Sequence, residues 1–239
     1  MKSKVSIHAL IPAAGLSERF GAELPKQYSS LLGQSVLAHS IEALSHHPSI
    51  RNVTVILAED DARFDSLVRP LFPDVSTVTG GASRAHSVLN GLRHIQAQDN
   101  SADYALVHDA ARPCIGQSQL DDLIIAGLAC DDGAILAIPV SDTIKKADQD
   151  NLIEQTVDRN HLWQAQTPQM FPVQRLLDAL EASLDGLEPP TDESSAMEMQ
   201  GARPQLVMGS SSNIKITTAQ DLIIAEGIIS RGTGTANQS

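Results

Sequence analysis

Short apolar runs separated by stretches of helical spacing fill the first 140 residues, and that alternation leaves few folds open. Residues 5–11 (VSIHALI) end at Pro12 and read as a buried parallel strand. Residues 52–58 (NVTVILA), 75–79, 104–108 (YALVH) and 133–139 (GAILAIP) repeat the pattern. Between them, residues 37–44, 60–71, 83–95 and 119–128 carry apolar positions at helical spacing, with Val88, Leu92 and Ile95 on one face. Alternating strands and helices predict an α/β protein with a mostly parallel, doubly wound sheet and helices on both faces.

The rhythm breaks after Pro139. Residues 141–147 (SDTIKKA) and 151–157 (NLIEQTV) alternate polar and apolar around the turn sequence DQD, which predicts a protruding β-hairpin arm at about 139–162. Helices at 173–184 and 194–200, a strand at 205–208 and a closing helix at 218–229, capped by Thr217 or Thr218, follow. The chain thus reads as one domain, residues 1–230, with the arm included and a disordered polar tail, 231–239. No internal repeat is present.

At 239 residues and 42% hydrophobic, the chain can bury a full core. It has no run of 18 apolar residues, so no membrane span is expected. The two N-terminal lysines and the apolar run after them imitate a short signal peptide, but the run leads straight into a glycine turn and a basic loop. That places the protein in the cytoplasm. Cys114 and Cys130 lie far apart with no zinc spacing and read as two reduced thiols. A net charge of −12 disfavours nucleic acid as a partner. It leaves room for a small phosphorylated substrate if some of the 17 Lys and Arg residues gather in one cleft.

In open α/β sheets, ligands bind beyond the carboxyl ends of the strands. Four segments are placed there. In PAAGLSERFG, residues 12–21, the small Ala13, Ala14 and Gly15 let backbone N–H groups approach phosphate oxygens, and Arg19 and Lys26 add two charges. This is neither a Walker A nor a Rossmann glycine motif, and the plainer alternative is a turn with two solvated cations. GGASRAHS, residues 80–87, opens a helix bearing Ser83, Arg84 and Ser87; it suits an anion or a base edge, or is an ordinary helix start capped by Ser83. HDAARP, residues 108–113, puts Asp109 where a Mg²⁺ ligand belongs and Arg112 within reach of an acceptor phosphate; a capping Asp with a surface Asp–Arg pair is the alternative. In NIKIT, residues 213–217, Lys215 points off the face opposite Ile214 and Ile216, as a site cation or a solvated edge-strand lysine. His46 and His47 favour a helix C-terminus, Asp121, Asp122, Asp131 and Asp132 read as solvated, and Trp163 reads as packing at the base of the arm.

PAAGLSERFG with PKQ, GGASRAHSV, VHDAARPC, SDTIKKA, TVDRNHLWQAQTPQMF, TDESSAME and NIKIT occur in that order, from about residue 7 to residue 229. Together they resemble the 2-C-methyl-D-erythritol 4-phosphate cytidylyltransferases of the non-mevalonate isoprenoid pathway. The resemblance implies a Rossmann-like nucleotidyltransferase fold and a homodimer with interlocking arms. It implies CTP as cosubstrate, Mg²⁺ as metal and 2-C-methylerythritol 4-phosphate as acceptor. By matching position, Ala13, Ala14, Gly15, Gly81 and Ser87 would hold the nucleotide, with Arg19, Lys26 and Lys215 on its phosphates. Asp109 would lie near metal and acceptor, with Arg112 close by. Thr143 and Arg159, which otherwise read as arm residues with an Asp158–Arg159 pair, would bind the acceptor phosphate of the partner subunit, with Thr167 and Thr191 lining that region. Ala82 departs from the family's frequent Asp after the second glycine, which bears on base selectivity.

The implied chemistry is in-line attack of an already ionised phosphate oxygen on the α-phosphorus of CTP, which needs no general base and rests on positioning and electrostatics. Other readings are a cytidylyltransferase for another polyol phosphate such as ribitol 5-phosphate, or a non-catalytic CTP-binding regulator. A dehydrogenase would want GxGxxG, which is missing.

Overall fold

The computed structural model describes residues 5–15, 25–184 and 189–235, with side chains to Arg231. In chain order the elements are β1 (Ile7–Pro12), a 3-10 turn (Lys26–Tyr28), β2 (Ser30–Leu31), β3 (Gln34–Ser35), α1 (Val36–Ser45), β4 (Ile50–Leu57), α2 (Phe64–Leu67), β5 (Ser76–Thr79), α3 (Arg84–Gln98), β6 (Tyr104–Val107), α4 (Gln117–Ala129) and β7 (Ala134–Pro139). The arm strands β8 (Ile144–Ala147) and β9 (Ile153–Val157) follow, then β10 (Trp163–Pro172), α5 (Val173–Leu184), α6 (Glu193–Met199), β11 (Gln205–Met208) and α7 (Ala219–Thr235).

Seven strands form one sheet in the order β11-β7-β10-β6-β1-β4-β5. The five strands expected before the arm are all present, and β1 pairs parallel with both β4 and β6. Along β1 the side chains alternate between the two faces: Ile7, Ala9 and Ile11 join the cluster with α1 and α4, and Leu10 joins the one with α3, α5 and α6. That two-sided burial is why the strand reads as a near-continuous apolar run. A third cluster seats α7 through Ala225 and Ile216 against Leu31 and Val36. Among the described residues no helix is long and apolar enough to cross a membrane.

Several elements differ from the sequence expectation: the short strands β2 and β3 were not expected, and α7 runs on to Thr235, into the stretch 231–239 expected as a disordered tail. β10 was not foreseen, yet it lies antiparallel between β6 and β7 in the centre of the sheet. Its sequence, WQAQTPQMFP, has three Gln and a Thr among ten residues and carries Pro168, which argues against a central strand. The fold accommodates the proline with a register shift between Ala165 and Gln169 and a cis Thr167–Pro168 bond, so Thr167 sits in the irregular stretch. The helix expected at 60–71 shrinks to the four residues of α2, because Asp61 Oδ1 accepts from the N–H groups of Arg63 and Phe64 and Pro70 follows at once. Before α7, Thr218 holds the cap position, one of the two expected, and Asp221 answers it by accepting from the N–H groups of Thr217 and Thr218 and from the Thr217 hydroxyl.

Gly133 opens β7 at φ +83, and a Cβ there would collide with the Phe171 ring and the Met170 carbonyl oxygen. Gly133→Ala therefore combines left-handed strain with overpacking and is expected to cost about 3 kcal/mol. A thermal melt should show Tm lowered by roughly 6–12 °C at this chain length.

Candidate active site

The carboxyl ends of the strands are laced together by backbone bonds. Ala13 N–H donates to the Ile56 carbonyl and Gly80 N–H to that of Leu57, both at 2.8 Å, so the loops after β1 and β5 lie side by side. Their approach is so close that a Cβ on Gly80 would stand 2.7 Å from Ala14 Cβ and 2.8 Å from Ser87 Oγ. Ser83 caps α3 by accepting from His86 N–H, the plainer role considered for it. Ser87 Oγ accepts from Gly81 N–H at 3.1 Å and donates to the Ser83 carbonyl at 2.9 Å, which folds the glycine pair over the helix start. On the other side, Gln27 donates to the Ala13 carbonyl at 2.8 Å and the Tyr28 hydroxyl to Asp61 at 2.7 Å. The first bond holds the turn carrying Lys26 against the end of β1, and the second ties it to the loop after β4.

The result is a cavity of about 380 Å³ lined by Ala13, Ala14, Gly15, Lys26, Gly81, Ala82, Ser87, Asp109 and Lys215, among others. The four distant segments thus converge. Arg19 lies outside the described residues. Residues 213–217 form no strand; instead Ile216 is buried, with its N–H on the Ala111 carbonyl, and Lys215 turns the other way, into the cavity.

Asp109 is the junction of the site. It is 8% exposed, and three cations face it: Lys215 Nζ at 2.8 Å, Arg84 at 3.2 Å and Arg112 Nε at 3.8 Å. Burial works to raise its carboxyl, but the charges of Arg84 and Lys215 outweigh burial and hold it well below the usual carboxylate range. Its own N–H donates to Thr167 Oγ1 at 3.0 Å. His108, fully buried, lies 2.9 Å by Nε2 from the Arg112 carbonyl and 3.1 Å by Nδ1 from Thr167 Oγ1. Burial pushes its ring down to about 4, so it is neutral at pH 7. The carbonyl needs the proton on Nε2; Nδ1 then accepts the Thr167 hydroxyl proton, and that oxygen is free to accept from Asp109. The irregular stretch of β10 thereby fixes the Asp109 backbone.

A second cavity of about 140 Å³ adjoins the first, lined by Arg84, Asp109, Arg112, Thr167, Thr191, Asp192 and Lys215 among others. Arg84, Asp109 and Lys215 line both cavities and make the wall between them. Arg112 donates to the Asn213 carbonyl at 2.6 Å, and its buried Nε has no hydrogen-bond partner among the described residues. Thr143 and Arg159 lie on the exposed arm and line neither cavity; the Arg159 guanidinium donates to the Ser141 carbonyl.

Sequence reasoning passed over Glu193 and His108. Arg84 also forms a two-point ion pair with Glu193, at 2.6 and 3.0 Å, and Glu193 is 1% exposed. A signal existed: Arg84 is the first residue of α3, where the helix dipole disfavours a cation unless an acid holds it. His108 carried no comparable signal, since its role depends on a partner 59 residues away.

The family model described as IspD, 2-C-methyl-D-erythritol 4-phosphate cytidylyltransferase, matches residues 7–231. A relative of that name from Vibrio vulnificus is 46% identical over 230 residues, covering 96% of this chain and 97% of its own. One from Tolumonas auensis is 48% identical over 221 residues, covering 92% and 95%. Among solved structures, a 4-diphosphocytidyl-2C-methyl-D-erythritol synthase superposes with a TM-score of 0.83 at 37% identity, covering 95% of this chain and 99% of that one. The Francisella tularensis 2-C-methyl-D-erythritol 4-phosphate cytidylyltransferase gives 0.79 at 31% identity, covering 93% and 99%. With a sheet whose strand ends carry these loops, and relatives alike over nearly their full length, the chain belongs to the IspD family of 2-C-methyl-D-erythritol 4-phosphate cytidylyltransferases.

Proposed function

We propose that this chain transfers CMP from CTP to 2-C-methyl-D-erythritol 4-phosphate, giving 4-diphosphocytidyl-2-C-methyl-D-erythritol and pyrophosphate, in the cytoplasm. The observation that carries the reading is the shared wall: Asp109, Lys215 and Arg84 border two adjoining cavities of unequal size. CTP occupies the larger one, its base and ribose against Ala13, Ala14, Gly15, Gly81 and Ser87. Ala82 presents no acid to the base, so its polar contacts come from backbone and water. The acceptor occupies the smaller one, with Thr167 and Thr191 beside it and the Arg112 side chain in its lining for the phosphate.

The acceptor phosphate oxygen is ionised at neutral pH and attacks the α-phosphorus without a general base. The task left to the protein is to hold two anions together and to stabilise charge on the five-coordinate phosphorus, which Arg19, Lys26 and Lys215 do. A divalent cation fits here. One carboxylate, Asp109, lines the larger cavity, and Mg²⁺ is commonly bound by one or two carboxylates together with substrate phosphates. No group of three His, Cys, Asp or Glu forms an all-protein cage among the described residues. When bound, the cation would neutralise triphosphate charge as pyrophosphate leaves.

The acceptor site is completed by a second copy of the chain. Thr143 and Arg159 stand off both cavities, and the arm exposes Leu152 and Ile153, at 65% and 66%, with Leu162 and Trp163 at its base. Interlocked arms in a homodimer would cover that apolar surface and deliver Thr143 and Arg159 to the partner's acceptor phosphate.

Pyrophosphate release from CTP is the test, run with 2-C-methyl-D-erythritol 4-phosphate or ribitol 5-phosphate and with or without Mg²⁺. Turnover should need the first acceptor and Mg²⁺, with ribitol 5-phosphate slower by about tenfold or more. CTP binding with no turnover on either acceptor would mean a regulator rather than an enzyme.

A further inference from the structure

Glu193 is the most deeply buried acid near the site, and the proposed chemistry makes no use of it. Both its oxygens are taken by Arg84. Glu193 is buried while the Arg84 side chain stays 32% exposed, and burying an acid to form an ion pair is a poor stability device, because desolvation consumes much of the attraction. Its geometry suggests another purpose. Arg84 Nη2 is shared between Glu193 Oε2 at 3.0 Å and Asp109 Oδ1 at 3.2 Å, so the acid sets the direction in which the guanidinium meets Asp109. Glu193 is itself fixed. It begins α6, whose first turn is locked to β10: Gln169 accepts from Ser194 N–H at 2.9 Å and donates to Asp192 at 2.8 Å. The same strand holds the Asp109 backbone through Thr167. Both ends of the Asp109–Arg84–Glu193 chain are therefore anchored to β10. Arg84 thus serves Glu193 and Asp109 at once, and Glu193 fixes the geometry in which its charge reaches Asp109.

We propose that the Arg84–Glu193 pair is a positioning device for the transfer step: buried Glu193 aims the Arg84 guanidinium at Asp109 and so fixes that carboxylate in the wall between the nucleotide and acceptor compartments. The inference rests on the proposed cytidylyl transfer and assigns neither residue to the reacting atoms. It predicts that the pair matters for kcat and little for CTP capture.

The test compares wild type, Arg84→Lys and the double variant Arg84→Met with Glu193→Met, which removes both charges together and keeps side-chain volume. For each, circular dichroism and Tm report folding, and pyrophosphate release gives kcat and the KM for CTP. The folded double variant should lose about 100-fold in kcat with the KM for CTP within about threefold. Arg84→Lys, which keeps a charge but cannot bridge two acids with a planar fork, should fall between, at about tenfold. An active wild type beside a folded double variant of unchanged kcat overturns the inference and leaves the pair structural. Should the double variant not fold, Arg84→Lys decides, and a kcat within about threefold of wild type overturns the inference. A wild type that releases no pyrophosphate overturns the proposed function instead.

Discussion

Asp109→Asn is expected to lower kcat for pyrophosphate release about 1000-fold, an effect of about 4 kcal/mol on the transition state. Asn has nearly the same shape and leaves the backbone N–H on Thr167 undisturbed, so the change is almost purely one of charge. That charge is the one on which Lys215, Arg84 and Arg112 converge. Without it the three cations repel one another, Lys215 loses its 2.8 Å partner, and the proposed metal loses its protein ligand. Stability should change far less than activity. Burial alone penalises the Asp109 charge, so its removal relieves part of what the lost ion pairs cost. Steady-state kinetics with a thermal melt separate the two effects. A variant within tenfold of wild-type kcat would leave Asp109 as a capping and pairing residue only.

Lys26→Ala should lower kcat about 100-fold, or about 3 kcal/mol, a far larger effect than the one on stability. The reason is a division of labour in one short turn. Gln27 and Tyr28 are buried and make the bonds that fix the turn, to the Ala13 carbonyl and to Asp61, whereas Lys26 lines the cavity. Truncating it removes a cation from the triphosphate and leaves those two anchors in place. Arg19→Ala, in the same loop sequence, should behave alike. Near-full activity in either variant would remove that residue from the phosphate-binding set. A large fall in Tm at Lys26→Ala would assign it to the scaffold.

Much of the site was legible because its chemistry is local. Small residues after an apolar strand, a glycine pair before a helix and an acid after a strand each declare themselves within a few positions, and Ala13, Gly81, Ser87 and Asp109 all line the cavity. The arm was legible as well, since alternation with a turn between is a short-range pattern, and β8 and β9 pair antiparallel as it implied. Lys215 was legible in direction but not in setting: Ile214 and Ile216 gave its facing, and only the folded chain replaced the expected strand with an irregular segment held on Ala111.

The residues overlooked owe their roles to contacts between distant parts of the chain. Arg84 meets Glu193 across 109 positions and His108 meets Thr167 across 59. β10 was hidden for a related reason. Its proline and polar residues contradict strand propensity, and its flanking partners, β6 and β7, supply pairing that overrides the local preference. By itself the sequence determined the doubly wound α/β class, the two-faced core and the loops that line the larger cavity, because hydrophobic period and turn chemistry act over a few residues. Only the tertiary structure decided that a proline-bearing strand closes the centre of the sheet and that one aspartate stands in the wall between two cavities. Hydrogen bonds and ion pairs between segments far apart in sequence fix both, and no local pattern encodes them.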